Sequence, residues 1–400
     1  MSAVEQQQVR KRRVFYIPGY DPFHPRRYRE LYRKESAAQA QISGYDIALK
    51  PKTAPGPYGW HVSARMDRQD VEADVEVLVW SDIVRDSMDQ GILATYGQLV
   101  RTAWMYIGSG ALWRLMRLRK GPVIAALYPV VFLLVQLAFA LGVAGLIGWA
   151  LALLHPVLSL LGLAVVPPIL MWFRRQDGKF FAYYLMHDYA YSARTGGAIA
   201  PELAERLAQF TQTIRAALDT DADEVLVVGH SSGAHLAVSI LAQLLREGRA
   251  DGPELNLLTL GQVVPMVSFL PDAWQLRADL AYLSEQSQIA WVDVTAPGDG
   301  CAFALCDPVA VSGVAGLSKR WPLVFSAAFS QTLRPETWNR LKRRYFRLHF
   351  QYLCAFDQPR DYDYFQITAG PLTLRARYDG RAASKSRIDH AVSKYVSVAP

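Results

Sequence analysis

The sequence predicts an α/β protein in which helices cover both faces of a mainly parallel sheet and a membrane hairpin interrupts the chain. Three observations support this class. Short apolar segments rich in β-branched residues alternate with amphipathic segments in the second half, which is typical of parallel strands joined by helices. The pentapeptide Gly229-His230-Ser231-Ser232-Gly233 joins one such strand to one such helix. Residues 122–173 contain no Asp, Glu, Lys or Arg.

The strands and helices are predicted from hydrophobic periodicity and from turn residues. The predicted strands are residues 14–17, 59–65, 71–80, 224–228, 255–260 and 288–294, with a last strand near 372–375. Helices are predicted after Pro22, over most of 81–118, over 201–218, after the pentapeptide, and after His390.

The uncharged stretch is long enough for two membrane spans, because about 20 apolar residues cross a bilayer. The spans are predicted near 123–145 and 150–173, with the reversal at 145–148 or at His155-Pro156. Basic residues flank the stretch on both sides, and its turn has none. The positive-inside rule therefore predicts an integral membrane protein with both termini in the cytoplasm. An even number of spans keeps residues 1–121 and 174–400 in one compartment, as the two parts of one globular domain.

The composition narrows the functional classes. The 400 residues carry a net charge of +7, and part of the excess lies beside the uncharged stretch and in Lys342-Arg343-Arg344, where it suits an anionic membrane surface. The sequence has no basic stripe with aromatic platforms, which is the pattern that predicts nucleic-acid binding.

The three cysteines, Cys301, Cys306 and Cys354, are too few and odd in number for a disulfide framework. Their spacing suggests no metal site, and no organic cofactor is expected. The oligomeric state is not predicted.

The pentapeptide has the pattern G-x-S-x-G between a buried strand and an amphipathic helix. This context predicts a nucleophile elbow, a turn so sharp that the hydroxyl of Ser231 projects above the sheet. A serine hydroxyl attacks only when a histidine accepts its proton and a carboxylate holds that histidine.

The acid and the base are expected after Ser231 in the chain, because the order in such sites is serine, acid, histidine. Asp299 follows the strand at 288–294 by a few residues and is the preferred acid, with Asp307 second and Asp293 third. The candidate bases are His390 and His349. His390 is preferred because its polar loop follows the last predicted strand, whereas alternating apolar residues around His349 suit a packed segment.

The oxyanion hole needs two N–H donors near the nucleophile. One is expected from Ser232, the residue after the nucleophile. The other is expected from the loop after the first strand, at Gly19 or Tyr20, because glycine permits close approach of the backbone.

The elbow Gly229–Gly233 and the following Ala234-His235 resemble those of esterases and lipases in the α/β-hydrolase superfamily. This resemblance implies a serine hydrolase that cleaves an ester, and the hairpin makes a lipid or another acyl ester a candidate substrate. The early Ile17-Pro18-Gly19 departs from the His-Gly of many members. The alternative hypothesis is a membrane-tethered binding or scaffold protein on the same fold without turnover.

Overall fold

The computed structural model describes residues 8–249 and 252–400, and their strands form one mixed, mostly parallel sheet. The strands are β1 (Lys11–Ile17), β2 (Asp46–Pro51), β3 (Gly59–Met66), β4 (Gln69–Val77), β5 (Glu224–His230), β6 (Glu254–Leu260), β7 (Ile289–Thr295) and β8 (Leu323–Ser326). Their order across the sheet is β2-β3-β4-β1-β5-β6-β7-β8. The pairs from β4 to β8 are parallel, while β2–β3 and β3–β4 are antiparallel.

The helices of the first half and of the apolar region are α1 (Arg26–Ser43), α2 (Ser81–Met88), α3 (Ile92–Gly108), α4 (Ala111–Leu118), α5 (Lys120–Ala152), α6 (Val166–Arg175) and α7 (Asp177–Phe180). The later helices are α8 (Ala182–Ala193), α9 (Pro201–Leu218), α10 (Gly233–Arg246), α11 (Val264–Ser268), α12 (Trp274–Glu285), α13 (Pro308–Val311), α14 (Phe329–Thr332), α15 (Pro335–Leu341), α16 (Tyr345–His349), α17 (Tyr364–Ala369) and α18 (Leu374–Arg377). Residues Pro156–Val165 and Gln351–Leu353 form 3₁₀-helical segments.

The central strands are buried on both faces, as their near-continuous apolar sequences predict. In β5, Val225 and Val227 belong to one core cluster, which includes side chains of α9, α10 and α12. Leu226 and Val228 belong to the other, which includes side chains of α1, α14 and α17. Helices therefore cover both faces, and the predicted α/β class is confirmed.

The first strand of the chain lies in the middle of the sheet. β1 pairs with β4 on one side and with β5 on the other. From β1 the chain passes to β2, at one edge of the sheet, whereas from β5 it passes to β6, towards the opposite edge. Ligands of open parallel sheets bind where the strand order reverses in this way, at the carboxyl ends of the strands. The loops after β1, β5, β6 and β7 all lie at that edge.

The uncharged stretch forms two helical segments long and apolar enough to cross a membrane, Lys120–Ala152 and Pro156–Arg175. The chain reverses at residues 153–155, which is the second of the two predicted positions. Small residues bring the segments together, since a side chain at Gly148 would lie 2.7 Å from the Ser159 carbonyl oxygen. Close approach at small residues is typical of helices that pack within membranes.

Two predicted elements near the end of the chain are wrong. Residues 372–375 were expected to form a strand, but α18 begins at Leu374 because the Thr373 hydroxyl caps the helix by accepting from the N–H of Ala376 at 3.2 Å. No helix follows His390 in the described residues. The edge strands β2 and β8 were not predicted.

Candidate active site

The turn after β5 has the geometry of a nucleophile elbow. Ser231 has φ +57°, a left-handed conformation that is uncommon for a residue with a side chain and is associated with functional sites. Its N–H donates to the Leu260 carbonyl oxygen at 2.9 Å, and its own carbonyl oxygen accepts from the N–H of Ala234 at 3.1 Å. These bonds hold the turn between the end of β6 and the start of α10.

The two glycines of the motif are required by close backbone contacts. A side chain at Gly229 would lie 2.6 Å from the Gly233 carbonyl oxygen. A side chain at Gly233 would lie 2.7 Å from the Pro18 carbonyl oxygen and would also overlap that of Ile17. The elbow can therefore fit between β1 and α10 only with glycine at both positions.

Asp299 and His349 form a buried pair. His349 Nδ1 donates to Asp299 Oδ2 at 2.7 Å. The other donors to Asp299 are the Tyr352 hydroxyl at 3.0 Å and the Cys301 N–H at 2.9 Å. Burial opposes the charge of Asp299, but His349 and these hydrogen bonds outweigh it and hold the pKa of the carboxyl below its usual value. The carboxylate is therefore an anion that fixes the orientation of the imidazole.

His230, inside the elbow, connects the nucleophile to this pair. Its Nε2–H donates to the His349 carbonyl oxygen at 3.0 Å, its Nδ1 accepts from the Tyr16 hydroxyl at 3.1 Å, and its ring stacks on that of His349 at 4.9 Å. Burial and the neighbouring His349 lower the pKa of His230 to about 3. His230 is thus a neutral structural residue that links the elbow to His349.

The side chains of Ser231 and His349 are not hydrogen-bonded to each other. Among the described residues, neither Ser231 Oγ nor His349 Nε2 has a hydrogen-bond partner. The hydrogen bond between a nucleophile and its base is often long before substrate binds. His349 also contacts the loop after β6, because a side chain at Gly261 would lie 3.1 Å from His349 Cε1.

The predicted oxyanion residues lie next to Ser231. A side chain at Gly19 would lie 2.9 Å from Ser231 Cβ and 3.3 Å from Ser231 Oγ, so the loop after β1 passes directly over the nucleophile. Tyr20 is held by its hydroxyl, which shares a hydrogen bond with Ser87 at 2.5 Å, and by its carbonyl oxygen, which accepts from the Tyr184 hydroxyl. Ser232 stands at the start of α10 on the other side of the turn.

The structure pairs the preferred acid with the second-choice base. His390 is exposed and has no hydrogen bond or ion pair in the described part of the chain. Of the two candidate bases, His349 is the one that lies against Asp299. Packing positions His349 at the end of α16, where the neighbouring Leu348 and Tyr352 are fully buried. Leu348 and Tyr352 belong to the apolar pattern that predicts a packed segment, and this packing holds His349 in place.

The other two candidate acids serve the fold. Asp307 caps α13 by accepting from the N–H groups of Val309 and Ala310, and it forms an ion pair with Lys319 at 2.7 Å. Asp293 lies inside β7, where it accepts from the Thr259 hydroxyl at 2.6 Å. Burial raises the pKa of Asp293 to about 8, so it is largely protonated at neutral pH.

Sequence reasoning missed Asp188, which lines a cleft beside the elbow. The lining of the cleft includes Tyr20 and Ser232. Asp188 lies on α8 and has no hydrogen-bond partner among the described residues. Burial raises the pKa of Asp188 to about 7, against the opposing effect of His349. The feature of the sequence that could have indicated Asp188 is a carboxyl within a segment rich in tyrosine.

Three potential metal ligands meet at the acid. Asp299, Cys301 and His349 offer ligand atoms within 4.8 Å of one another. However, the 2.7 Å separation of His349 Nδ1 and Asp299 Oδ2 is that of a charge-assisted hydrogen bond. Burial also raises the pKa of the Cys301 thiol, which disfavours the thiolate that metals require. The donor set suits proton transfer better than metal binding.

Comparisons of the chain with protein-family models, with curated proteins and with solved structures found no match. The geometry of Ser231, His349 and Asp299 therefore carries the functional assignment by itself.

Proposed function

We propose that the chain is a membrane-anchored serine hydrolase of the α/β-hydrolase type, which cleaves an ester through an acyl-enzyme intermediate. The observation that carries the proposal is the position of Ser231. It stands on a left-handed turn at the carboxyl edge of the sheet, directly after His230. The ring of His230 stacks on that of His349, whose Nδ1 is held by a buried carboxylate. Serine, acid and histidine also follow one another in the order expected for this fold.

In the proposed reaction, Ser231 Oγ attacks the ester carbonyl carbon and His349 Nε2 accepts the hydroxyl proton. The tetrahedral intermediate then expels the alcohol, which takes the proton from His349 as the carbon–oxygen bond breaks. Water attacks the acyl-enzyme and gives one proton to His349. Collapse of the second intermediate releases the acid and returns that proton to Ser231. Asp299 stays ionised throughout and stabilises the imidazolium.

The negative oxygen of each intermediate needs donors above the elbow. The backbone N–H groups of Ser232 and of Tyr20 are the proposed donors, with Gly19 providing the close approach, because both loops border Ser231. Removal of one such donor in other hydrolases typically costs about 10²- to 10³-fold in kcat.

We propose that the two apolar segments span a bilayer and that both termini and the catalytic domain face the cytoplasm. The support is charge, since Lys120 begins the first segment and Arg174 and Arg175 end the second. A reporter fused after Ala150 should then signal from the non-cytoplasmic side, and a cytoplasmic signal there would contradict a spanning hairpin.

The proposed substrate is a lipid or another ester that partitions into the membrane. The start of α5 touches the loop that carries the acid, because a side chain at Gly121 would lie 3.1 Å from the Gly300 carbonyl oxygen. After the hairpin, the Phe181 ring packs on Phe346 at 5.0 Å, next to exposed Lys342, Arg343 and Arg344. The site thus lies near the base of the hairpin.

Labelling with a fluorophosphonate probe tests the function. Wild-type protein should be labelled, and Ser231→Ala should not be, because the probe bonds covalently to an activated serine. His349→Ala should label at least about 10²-fold more slowly, whereas His390→Ala, the matched control, should label like wild type. Labelling that persists in Ser231→Ala refutes the nucleophile. An unlabelled wild-type protein favours the non-catalytic scaffold.

A further inference from the structure

Helix α3 carries its apolar residues on the outside. Leu93, Val100, Trp104 and Ile107 are 88%, 66%, 78% and 51% exposed. Their spacing of three, four and seven residues places them on one stripe of the helix. The buried side instead includes two threonines, Thr95 and Thr102, beside Leu99 and Tyr106. A helix on the surface of a soluble domain shows the reverse arrangement.

The stripe lies at the level where α5 would enter a bilayer. The Tyr96 hydroxyl of α3 donates to the Leu133 carbonyl oxygen of α5 at 2.9 Å. Leu133 is about four turns, or ~20 Å, from the start of α5. The rest of the helix, from Leu133 to Ala152, extends ~30 Å, which is the thickness of the hydrocarbon core. The contact therefore holds α3 beside the membrane entry point of the hairpin.

The chain from the start of α3 to the end of the hairpin carries charges of one sign. Residues 91–176 contain no Asp or Glu. They include seven basic residues: Arg101, Arg114, Arg117, Arg119, Lys120, Arg174 and Arg175. A second tryptophan, Trp113 on α4, is 58% exposed. Tryptophan is enriched at the headgroup level, and basic residues are attracted to anionic leaflets.

We infer that the apolar stripe of α3 docks on the surface of an anionic bilayer and lies in the plane of the headgroups. The inference rests on the proposed membrane anchoring and adds a second membrane contact to the hairpin.

The docking of α3 has a consequence for the active site. One side of α8 packs in the cluster formed with α3 and α5, through Tyr183, Met186 and Ala190. The other side lines the cleft through Asp188 and Tyr191. Two helices, α8 and α3, then separate the cleft from the lipid.

Site-directed spin labelling of the full chain in nanodiscs that contain phosphatidylserine tests the docking. Nitroxides are attached at Val100→Cys on the stripe, at Leu141→Cys on the hairpin and at Gln41→Cys on the exposed side of α1. Wild-type protein treated in the same way gives the background from native cysteines. Collision with oxygen reports lipid, and collision with a nickel chelate reports water. The label at residue 100 should favour oxygen at a depth of about 5–10 Å, the label at 141 should lie deeper, and the label at 41 should favour nickel.

The outcomes separate the inference from the anchoring. If the label at 141 favours oxygen while the label at 100 is as accessible to nickel as the label at 41, α3 faces water and the inference is wrong. If the label at 100 is shielded from both reagents, protein covers the stripe, such as a second copy of this chain, and the inference is also wrong. A label at 141 that favours nickel refutes the membrane hairpin on which the inference depends.

Discussion

Two carboxyl groups lie in two different regions of the molecule, and the charge of His349 favours the ionised form of both. Asp299, in the loop after β7, accepts hydrogen bonds from a ring nitrogen, a phenol and a backbone N–H. Asp188, on α8, has no hydrogen-bond donor among the described residues. Burial is the largest influence on both groups, yet the pKa of Asp299 is lowered and the pKa of Asp188 is raised to about 7.

The comparison shows that donors, rather than burial, decide which carboxyl can serve as the triad acid. A carboxylate stabilised by several donors stays charged and keeps the imidazole in the tautomer that exposes Nε2. A half-buried carboxyl without donors changes its charge near neutral pH. Divergent environments of neighbouring acids commonly separate their roles in a site. Asp299 is therefore assigned to orientation, and Asp188 is expected to modulate the rate.

The largest expected effect comes from removing the charge of Asp299, the carboxylate that accepts hydrogen bonds from several donors. Asp299→Asn replaces a carboxylate with an amide that cannot stabilise the imidazolium, and it favours the wrong tautomer of His349. We expect kcat/KM for a short-chain ester to fall by about 10⁴-fold, with an unchanged far-UV spectrum.

Asp293→Asn is the matched control. Asp293 is largely protonated at neutral pH, because burial raises its pKa to about 8, and an amide oxygen can still accept from Thr259. Its kcat/KM should stay within about twofold of wild type. If Asp293→Asn is the damaging variant and Asp299→Asn is active, the assignment of the acid is reversed.

An intermediate effect is expected from removing one donor. Tyr352→Phe deletes the hydroxyl that donates to Asp299 at 3.0 Å and accepts from the Ala296 N–H at 3.0 Å. Asp299 keeps two donors, so kcat/KM should fall by only about tenfold, which corresponds to ~1.4 kcal/mol. The unpaired Ala296 N–H should also lower the free energy of unfolding by about 1–3 kcal/mol. Equal activity of Tyr352→Phe and wild type would show that the phenol only supports the loop.

The two regions also differ in how far the sequence predicts them. The elbow and Asp299 were found because their signals are local: a motif between a strand and a helix, and an aspartate just past a strand. The most central strands were found for the same reason, since each is a continuous apolar run. The four-residue edge strand β8 is too short for a reliable pattern.

The base and Asp188 depend on contacts between distant parts of the chain. His349 lies 50 residues from Asp299 in sequence, and an open loop was expected to carry the base. The structure instead holds His349 through packed neighbours and through His230. Asp188 reaches the site only because α8 returns from the hairpin along the cleft. No local sequence pattern shows that α8 passes along the cleft. The positions of His349 and Asp188 therefore become visible only in the three-dimensional structure.

The smallest expected effect belongs to Asp188 and depends on pH. Its pKa of about 7 means that Asp188 is mainly neutral near pH 6 and mainly an anion near pH 8. The anion favours the imidazolium that His349 forms in the transition state, so kcat/KM of wild type should gain an extra rise through about pH 7. Asp188→Asn cannot gain the charge. It should match wild type near pH 6 and be about fivefold slower near pH 8, a difference of ~1 kcal/mol.

Asp389→Asn is the control, because the carboxyl of Asp389 is exposed and paired with Arg387. This variant should keep the wild-type pH profile. If Asp188→Asn loses activity equally at both pH values, Asp188 acts through hydrogen bonding or shape, and its charge has no part in the reaction.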